Sequence, residues 1–470
     1  MKTELEARLG LVDATALVAG SMIGSGIFIV SADIARRLPG PGWLLLVWAL
    51  AGALTVAGAS SYGWLAAAMP RAGGQYVYLA ELYGPAWGFL YGWTLVLVIQ
   101  TGTIAAVAVA FATFAGTLWP TLSPAARLVA LGPLAVSPVQ ACAVLVVLGL
   151  SALNARGLEA GRLVQTVLTI AKVGALAAVV VLGLTLGSPA ARAANLAIPS
   201  FPSGQGLGQT LAQVGAAMVG ALFAADAWAN VTFAAAEVRD APRTVPRALL
   251  LGTVLVCALY LATNVAYLNV LPLRGSPEGA DVFARGIQHA TADRVGTAVM
   301  EQLAGGSIGA AFMAVAVMVS TFGCVNGLVL AGARVAWAMA RDGLFLAPAA
   351  RLNAQHVPAS ALWIQGVWAS VLALSGRYGD LLDYVIIAEL VFYLFTVGGL
   401  FVLARRTGER PHGVGYPWLQ GAYLVLVGVL VVDLLVTKPA YTWGSLGVIA
   451  SGVPFYLGWR PRARLASAPP

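Results

Sequence analysis

The stretch GSMIGSGIF, residues 20–28, decides the fold, and it lies in the first long apolar run of the chain, residues 12–36. Three glycines and two serines within residues 20–26 weaken a helix at its middle. In lipid, unwound backbone is tolerated only where it is buried in protein or lines a cavity. The stretch therefore predicts a helix broken near the membrane midplane, with amides and a positive dipole end that favour a carboxylate. A small-residue packing face is the alternative.

The composition of the 470-residue chain is that of a membrane protein, because 60% of its residues are hydrophobic and only 10% are charged. Soluble proteins carry roughly 25% charged residues, so a disordered protein, a coiled coil and an ordinary cytosolic enzyme are excluded. A membrane-spanning helix needs about 20 mostly apolar residues. We predict an all-α integral membrane fold with twelve spanning helices, at residues 12–36, 42–68, 84–116, 133–153, 161–187, 207–236, 244–271, 305–340, 358–376, 380–404, 414–436 and 442–459.

Lysine and arginine outnumber aspartate and glutamate by 27 to 19. With a cytoplasmic N-terminus, most basic residues fall in cytoplasmic connections, as membrane topology requires. We therefore predict a multi-pass protein of the cell or inner membrane with both termini in the cytoplasm, and no nucleic-acid partner. Three cysteines lie in apolar runs, and neither they nor the three histidines match a metal motif. We expect no metal ion and no cofactor.

The sixth apolar run, residues 207–236, carries the carboxyl group of Asp226 about twenty residues from Gly206. A carboxyl group at that depth is costly in hydrocarbon and usually faces a water-filled cavity. Asp226 is either ionised beside a cation or protonated by burial. Runs one and six each open a block of five runs, which indicates an inverted repeat with a central binding site. We predict a first repeat at 9–187, a second at 207–405 and two additional helices at 414–460.

Several motifs, taken together, resemble the L-type amino acid transporter branch of the amino acid–polyamine–organocation superfamily. They run in order from about residue 9 to residue 405. Residues 20–28 resemble the signature of the first helix, and MPRAGGQYVYL, residues 69–79, resembles the link between helices two and three. The remaining matches are LFAADAWANVTFAAAEVRDAPRTVPRAL at 222–249, TFGCVNG at 321–327 and ARVAWAMARDGLF at 333–345.

The resemblance implies a LeuT-type fold of five plus five helices, in which helices 1 and 6 are discontinuous and an amino acid lies between them. Its carboxylate would meet the backbone amides of Ser25, Gly26 and Ile27. Its ammonium group would meet the carbonyls of Met22, Phe223 and Asp226, under Phe223 as an aromatic lid. The pocket would also include Ala224, which leaves room for a side chain, and Asn230, which could equally be an interhelical packing residue. Ala227 stands where relatives commonly have glycine.

Lys172 lies in the fifth run, ten residues after Arg162 and therefore roughly 15 Å along a helix. A lysine so far from the interface indicates an internal cation facing the bundle, although a snorkelling lysine is the alternative. The resemblance implies that this ammonium replaces a bound sodium ion between helices one and eight. Its expected neighbours on the first helix are backbone carbonyls, and those on helices seven and eight are Tyr267, Ser320, Thr321 and Cys324.

Other charged residues allow two interpretations each. Glu237, Arg239, Asp240, Arg243 and Arg247 cluster after run six and form either a solvated loop or an inner gate with the N-terminal segment. Glu389 and Asp433 lie inside the predicted helices ten and eleven, and each is either a hydrogen-bonded packing residue or a proton relay.

These features predict a transporter and not an enzyme. The leading hypothesis is sodium-independent transport of neutral L-amino acids by alternating access, with exchange favoured over proton symport. A cationic amino acid or polyamine transporter that uses Asp226 is an alternative. A membrane-embedded enzyme or a sensor is a further class, which the missing nucleophile–base pair disfavours. Eukaryotic members of the resembled branch bind a heavy subunit through a cysteine after helix three. Residues 117–133 contain none, so we expect only the substrate and lipid as partners.

Overall fold

The computed structural model describes residues 5–123, 125–131, 134–199, 201, 206–375, 378–408 and 415–458. Within these ranges the chain is almost entirely helical, apart from one short hairpin of β1 (Val129–Leu131) and β2 (Leu134–Val136). The helices are α1 (Leu11–Met22), α2 (Val30–Arg37), α3 (Pro41–Ala68), α4 (Gln75–Tyr83), α5 (Pro85–Thr94), α6 (Gln100–Leu118), α7 (Pro138–Ala155), α8 (Leu158–Thr185), α9 (Pro189–Leu196), α10 (Leu207–Ala224), α11 (Asn230–Phe233), α12 (Ala241–Val270), α13 (Val282–Arg285), α14 (Val295–Ala304), α15 (Gly306–Arg341), α16 (Ala359–Ser375), α17 (Tyr378–Thr407), α18 (Trp418–Thr437) and α19 (Pro439–Gly458).

The predicted interruption of the first run is confirmed. Helix α1 ends at Met22, and Ile23 is extended, with φ −76° and ψ 93°. A 3-10 turn follows at Gly26–Phe28 before α2 begins at Val30. We call residues 23–29 the first break.

The sixth run is also interrupted, although it contains no glycine at the break. Helix α10 ends at Ala224, and helical structure resumes only at Asn230, where α11 begins. Ala227 has φ +65°, which an L-residue adopts at a cost of roughly 1–2 kcal/mol. This is the position where the resembled family commonly has glycine. We call residues 225–229 the second break.

Among the described residues, eight helical segments are long and apolar enough to cross a membrane. They are Pro41–Ala68, Pro85–Leu118, Pro138–Ala155, Gly161–Thr185, Ala241–Val270, Gly306–Arg341, Asp383–Thr407 and Trp418–Thr437. The second of these contains a π-helical turn at Leu95–Ile99 between α5 and α6. Helices α1, α10 and α16 are apolar but shorter. The number twelve and the two repeats therefore remain predictions. Residues 133, 376, 414 and 459, which belong to four of the predicted runs, lie outside the described residues.

The link between the second and third predicted spans contains a helix that the apolar pattern did not predict, α4 at Gln75–Tyr83. Gly73 and Gly74 precede it with φ of +103° and +46°. A side chain at Gly74 would collide with Thr232 and Phe233, which lie just after the second break. The glycine pair therefore allows the link to pack closely against this region.

The centre of the structure holds α1, α10 and the long helix α15. Helix α1 packs against α8, α12 and α15, and α10 packs against α3, α17 and α18. The two breaks touch each other, because a Cβ atom on Gly26 would lie only 2.5 Å from that of Ala224. Glycine at position 26 therefore permits the close approach of the breaks.

The packing of α12 on α1 gives a test of this architecture. A Cβ atom on Gly252 would lie 2.5 Å from Cγ1 of Val18, whereas nothing lies within 4 Å of one on Gly174 in α8. Overpacking costs typically about 1–3 kcal/mol, so Gly252→Ala should lower the apparent melting temperature in detergent. Gly174→Ala should leave it unchanged or raise it, because alanine has the higher helix propensity. Equal melting temperatures of the two variants would contradict this packing.

Candidate functional site

A small buried cavity lies where the two breaks meet. Its volume is about 20 Å³, which is room for about one water molecule. The predicted site residues among its lining are Met22, Ser25, Gly26, Phe223, Ala224, Asp226 and Cys324. Ser21, Gly24, Thr103, Val107 and Ala227 complete the wall. The structure thus brings together the residues of both breaks that the resemblance implied.

Two predicted pocket residues do not line this cavity as the structure describes it. Ile27 is fully buried in the 3-10 turn, and Asn230 begins α11. The side-chain nitrogen of Asn230 is buried and has no hydrogen-bond partner among the residues that the structure describes.

The first break provides candidate donors for an anion. Gly26–Phe28 form a 3-10 turn, and the first amides of such a turn have no partner within it. The amides of Gly26 and Ile27 are therefore the candidates. The amides of Phe28 and Ile29 already donate to the backbone carbonyls of Ser25 and Gly26.

Lys172 reaches the first break from α8 and is 1% exposed. Its Nζ atom donates to three backbone carbonyls, those of Gly20 at 2.7 Å, Ile23 at 2.9 Å and Ser320 at 2.9 Å. A Cβ atom on Gly323 would lie 3.1 Å from Cε of Lys172, so the absence of a side chain on α15 makes space for the lysine. The snorkelling alternative is therefore excluded, and the lysine is an internal cation.

The residues expected around Lys172 have separate roles. The hydroxyl of Ser320 donates to the carbonyls of Ile23 and Gly24, both at 3.0 Å, while its own carbonyl accepts from Lys172. The thiol of Cys324 lies 2.9 Å from the carbonyl of Ser21. Thr321 instead donates to the Val317 carbonyl in its own helix. The structure therefore brings Ser320 and Cys324 to the break, but not the Thr321 hydroxyl.

Two tyrosines of α12 contact the breaks. Tyr267 lies near the Ile27 carbonyl at 3.4 Å, a weak contact. Tyr260, which the sequence analysis missed, lies between the breaks, with its hydroxyl 3.1 Å from the Met22 carbonyl and 3.0 Å from the Ala224 carbonyl. The only sequence signal was a tyrosine seven residues before Tyr267, two helical turns earlier and so on the same face.

The carboxyl group of Asp226 is buried between the breaks and α17. Its Oδ1 atom accepts a hydrogen bond from the hydroxyl of Tyr393 at 2.7 Å. The ring of Tyr393 stacks on Trp228, with centroids 5.2 Å apart. Asp226 thus has a neutral partner and not the cation that one sequence interpretation required.

The chain closes over the second break with a buried ion pair. Arg334 of α15 contacts both carboxylate oxygens of Glu237, at 3.0 and 2.9 Å, and both side chains are 1% exposed. The N-terminal segment lies alongside, since Leu9 pairs with Val238 and the amides of Arg8 and Leu9 donate to the Glu237 carbonyl. Glu237 therefore belongs to a buried ion pair beside the N-terminal segment and not to a solvated loop, whereas Asp240 and Arg243 of the same cluster are exposed.

Comparison with known proteins places this chain in a family. Residues 9–462 match the amino acid permease family. The chain is 28% identical to the serine/threonine exchanger SteT of Bacillus subtilis over 97% of its own length and 98% of that protein. It is 27% identical to the human b(0,+)-type amino acid transporter 1, over 97% and 88%, and 28% identical to the human large neutral amino acids transporter small subunit 2, over 96% and 80%.

These relatives are transporters and exchangers by name, not enzymes, and they match along most of their length. Together with the apolar helices, the match indicates an integral multi-pass membrane protein. Because the family match covers nearly the whole sequence, the chain belongs to the amino acid permease family.

Proposed function

We propose that this chain is a sodium-independent exchanger of neutral L-amino acids that works by alternating access. The observation that carries the proposal is the meeting of two helix breaks at a buried cavity, with Lys172 bonded to the carbonyls of the first break. The amides of Gly26 and Ile27 suit a carboxylate. The carbonyls of Met22, Phe223 and Asp226 suit an ammonium group, so the two breaks together fit a zwitterion.

The cavity needs a conformational change before it can hold an amino acid, because it has room for about one water molecule. Glu237, which follows the second break, pairs with Arg334 in the interior. Arg36, in the last turn of α2, pairs near the surface with both carboxylate oxygens of Asp293, at 2.6 and 3.0 Å. We propose that these two ion pairs belong to two gates of an alternating-access cycle, in which one gate opens at a time.

Lys172 supplies the reason for sodium independence. Sodium ions in transporters are coordinated by the carbonyl oxygens of unwound helices. Three backbone carbonyls surround Nζ of Lys172, those of Gly20 in α1, Ile23 in the first break and Ser320 in α15. An ammonium group at this position donates to carbonyls that a bound cation would otherwise coordinate.

Asp226 supports a second candidate class of substrate, one with a cationic side chain. Its carboxyl group lines the cavity, and an amino acid or polyamine with a cationic side chain would meet it there. We also propose that both termini are cytoplasmic and that no subunit is attached by a disulfide. Cys142, Cys257 and Cys324 lie within α7, α12 and α15, away from the loop after the third predicted span.

Uptake by proteoliposomes tests the function. We expect labelled neutral amino acids to enter faster when unlabelled substrate is inside, and equally fast when an inert cation replaces sodium at constant pH and potential. Loss of uptake without sodium would contradict the proposal. Uptake driven by a pH gradient, with no effect of internal substrate, would replace exchange by proton symport. Arginine or polyamine uptake that Asp226→Asn abolishes, with no neutral uptake, would favour the cationic class.

The role of Lys172 has a matched control. Lys172→Met removes one donor from three buried carbonyls. The Ile23 carbonyl keeps the Ser320 hydroxyl and the Ser320 carbonyl lies inside α15, so the Gly20 carbonyl loses most. An unpaired buried carbonyl costs about 1–3 kcal/mol, so exchange should fall about tenfold. Lys438→Met is the control. It removes a partly buried lysine outside the site, which pairs with Asp383 at 2.6 Å, and it should retain exchange. Thermal unfolding of both variants separates loss of transport from loss of fold. Full exchange by a folded Lys172→Met variant would exclude the proposed role.

A further inference from the structure

Two carboxyl groups lie close together in the interior, beside the cavity. Asp226 is in the second break and Glu389 is in α17, and the two residues are 7% and 4% exposed. Tyr393 follows Glu389 by four residues, so both project from the same face of α17. Tyr393 contacts both carboxyl groups and donates its hydroxyl to Asp226. Nothing in the proposed exchange mechanism uses Glu389.

One oxygen of the Glu389 carboxyl group lacks the partner that an ionised carboxylate requires. Its Oε2 atom is buried and has no hydrogen-bond partner among the described residues. A phenol has a single proton to donate, and Tyr393 gives its proton to Asp226. A buried carboxylate without compensating donors is so costly that the group takes up a proton instead.

The surroundings supply no positive charge to the pair. No lysine, arginine or histidine of the described segments forms an ion pair with Asp226 or Glu389. Lys172, the cation of the site, donates its three hydrogen bonds to backbone carbonyls and not to either carboxyl group. The titratable side chains facing the pair from neighbouring helices are Tyr62 of α3, Tyr91 of α5, Tyr423 of α18 and Cys324 of α15, with Tyr78 of α4 behind them.

Two neighbouring negative charges in such an environment oppose each other, so one proton shared by the pair lowers the free energy. We propose that Asp226 and Glu389 form a proton-binding site, and that exchange requires the pair to hold its proton. Loss of the proton would place a second uncompensated charge beside the cavity, where it repels the carboxylate of the substrate. This requirement rests on the exchange function proposed above, whereas the existence of the proton site does not.

The proton site borders two small cavities. Asp226 lines the cavity between the breaks, and it also lines a second cavity of about 20 Å³ between α3, α17 and α18. Tyr393 and Tyr423 belong to the wall of this second cavity. Each cavity has room for about one water molecule, so a water molecule fits beside the Asp226 carboxyl group on either side.

Infrared spectroscopy of the purified full-length protein tests the proton site without any transport assay. At about pH 7, where a free carboxyl group is ionised, we expect the C=O stretching band of a protonated carboxyl group. The test uses an Asp433→Asn background, because Asp433 is another intramembrane carboxyl group with one buried oxygen that has no partner among the described residues. In this background the band should be present, should disappear as the pH rises, and should be absent once Asp226→Asn and Glu389→Gln are added. Absence of the band while Asp226 and Glu389 are intact, or its persistence after both are replaced, would overturn the proposal.

The pH profile of exchange tests the functional requirement. With equal pH on both sides of the membrane, wild-type exchange of a neutral amino acid should fall up to about tenfold per pH unit once the proton is lost. Glu389→Gln, which cannot release a proton, should flatten this fall, and Asp433→Asn should keep it. A flat wild-type profile would overturn the requirement. So would a Glu389→Gln profile identical to that of the wild type, because Lys172 would then be the titrating group.

The infrared experiment and the transport assay test different claims, so one claim can be wrong while the other holds. If no amino acid is exchanged at any pH, the proposed function is wrong, and the infrared band still decides whether the proton site exists. If Glu389→Gln does not fold, the pH titration of the band in the wild type and in Asp433→Asn gives the same decision.

Discussion

The structure depends on how the broken helices satisfy their backbone groups. A break inside a membrane protein frees carbonyls that water cannot reach, and each costs several kcal/mol if left unpaired. Here the carbonyls next to the first break accept from Lys172 and Ser320, and the hydroxyl of Tyr260 lies within hydrogen-bonding distance of the Met22 carbonyl on one side and the Ala224 carbonyl on the other. These donors make the interruptions stable, and the remaining groups of the breaks are available to a solute.

The two breaks are supported in a parallel way. Helix α8 supplies Lys172 to the first break, and α17 supplies Tyr393 to the second. These helices correspond to the fifth predicted span of each block of five, which agrees with the inverted repeat proposed from the sequence. The chemistry differs between the two: a cation meets carbonyls at the first break, and a phenol meets a carboxyl group at the second. The difference places a positive charge near one half of the site and a titratable pair near the other.

The first break and Lys172 could be predicted from the sequence because each violates a strong local rule. Glycine-rich sequence weakens a helix, and a lysine in an apolar run is too costly to face lipid. Tyr260 and Tyr393 could not be found in this way, because a tyrosine in an apolar helix breaks no rule. Arg334 was visible as an intrahelical charge, but its partner Glu237 lies 97 residues away. Thr321 was expected at the site, yet its hydroxyl satisfies a carbonyl of its own helix.

Local sequence thus determined the helical class, most helix positions and the place of the first break, because hydropathy and helix propensity act over a few neighbouring residues. Long-range packing decided which donor meets which carbonyl, since residues from α1, α8, α12 and α15 converge there over more than 300 positions of sequence. The same packing decided the size of the cavity and which residues surround Glu389. Whether a carboxyl group on a helix is ionised or holds a proton depends on the partners that other helices bring to it.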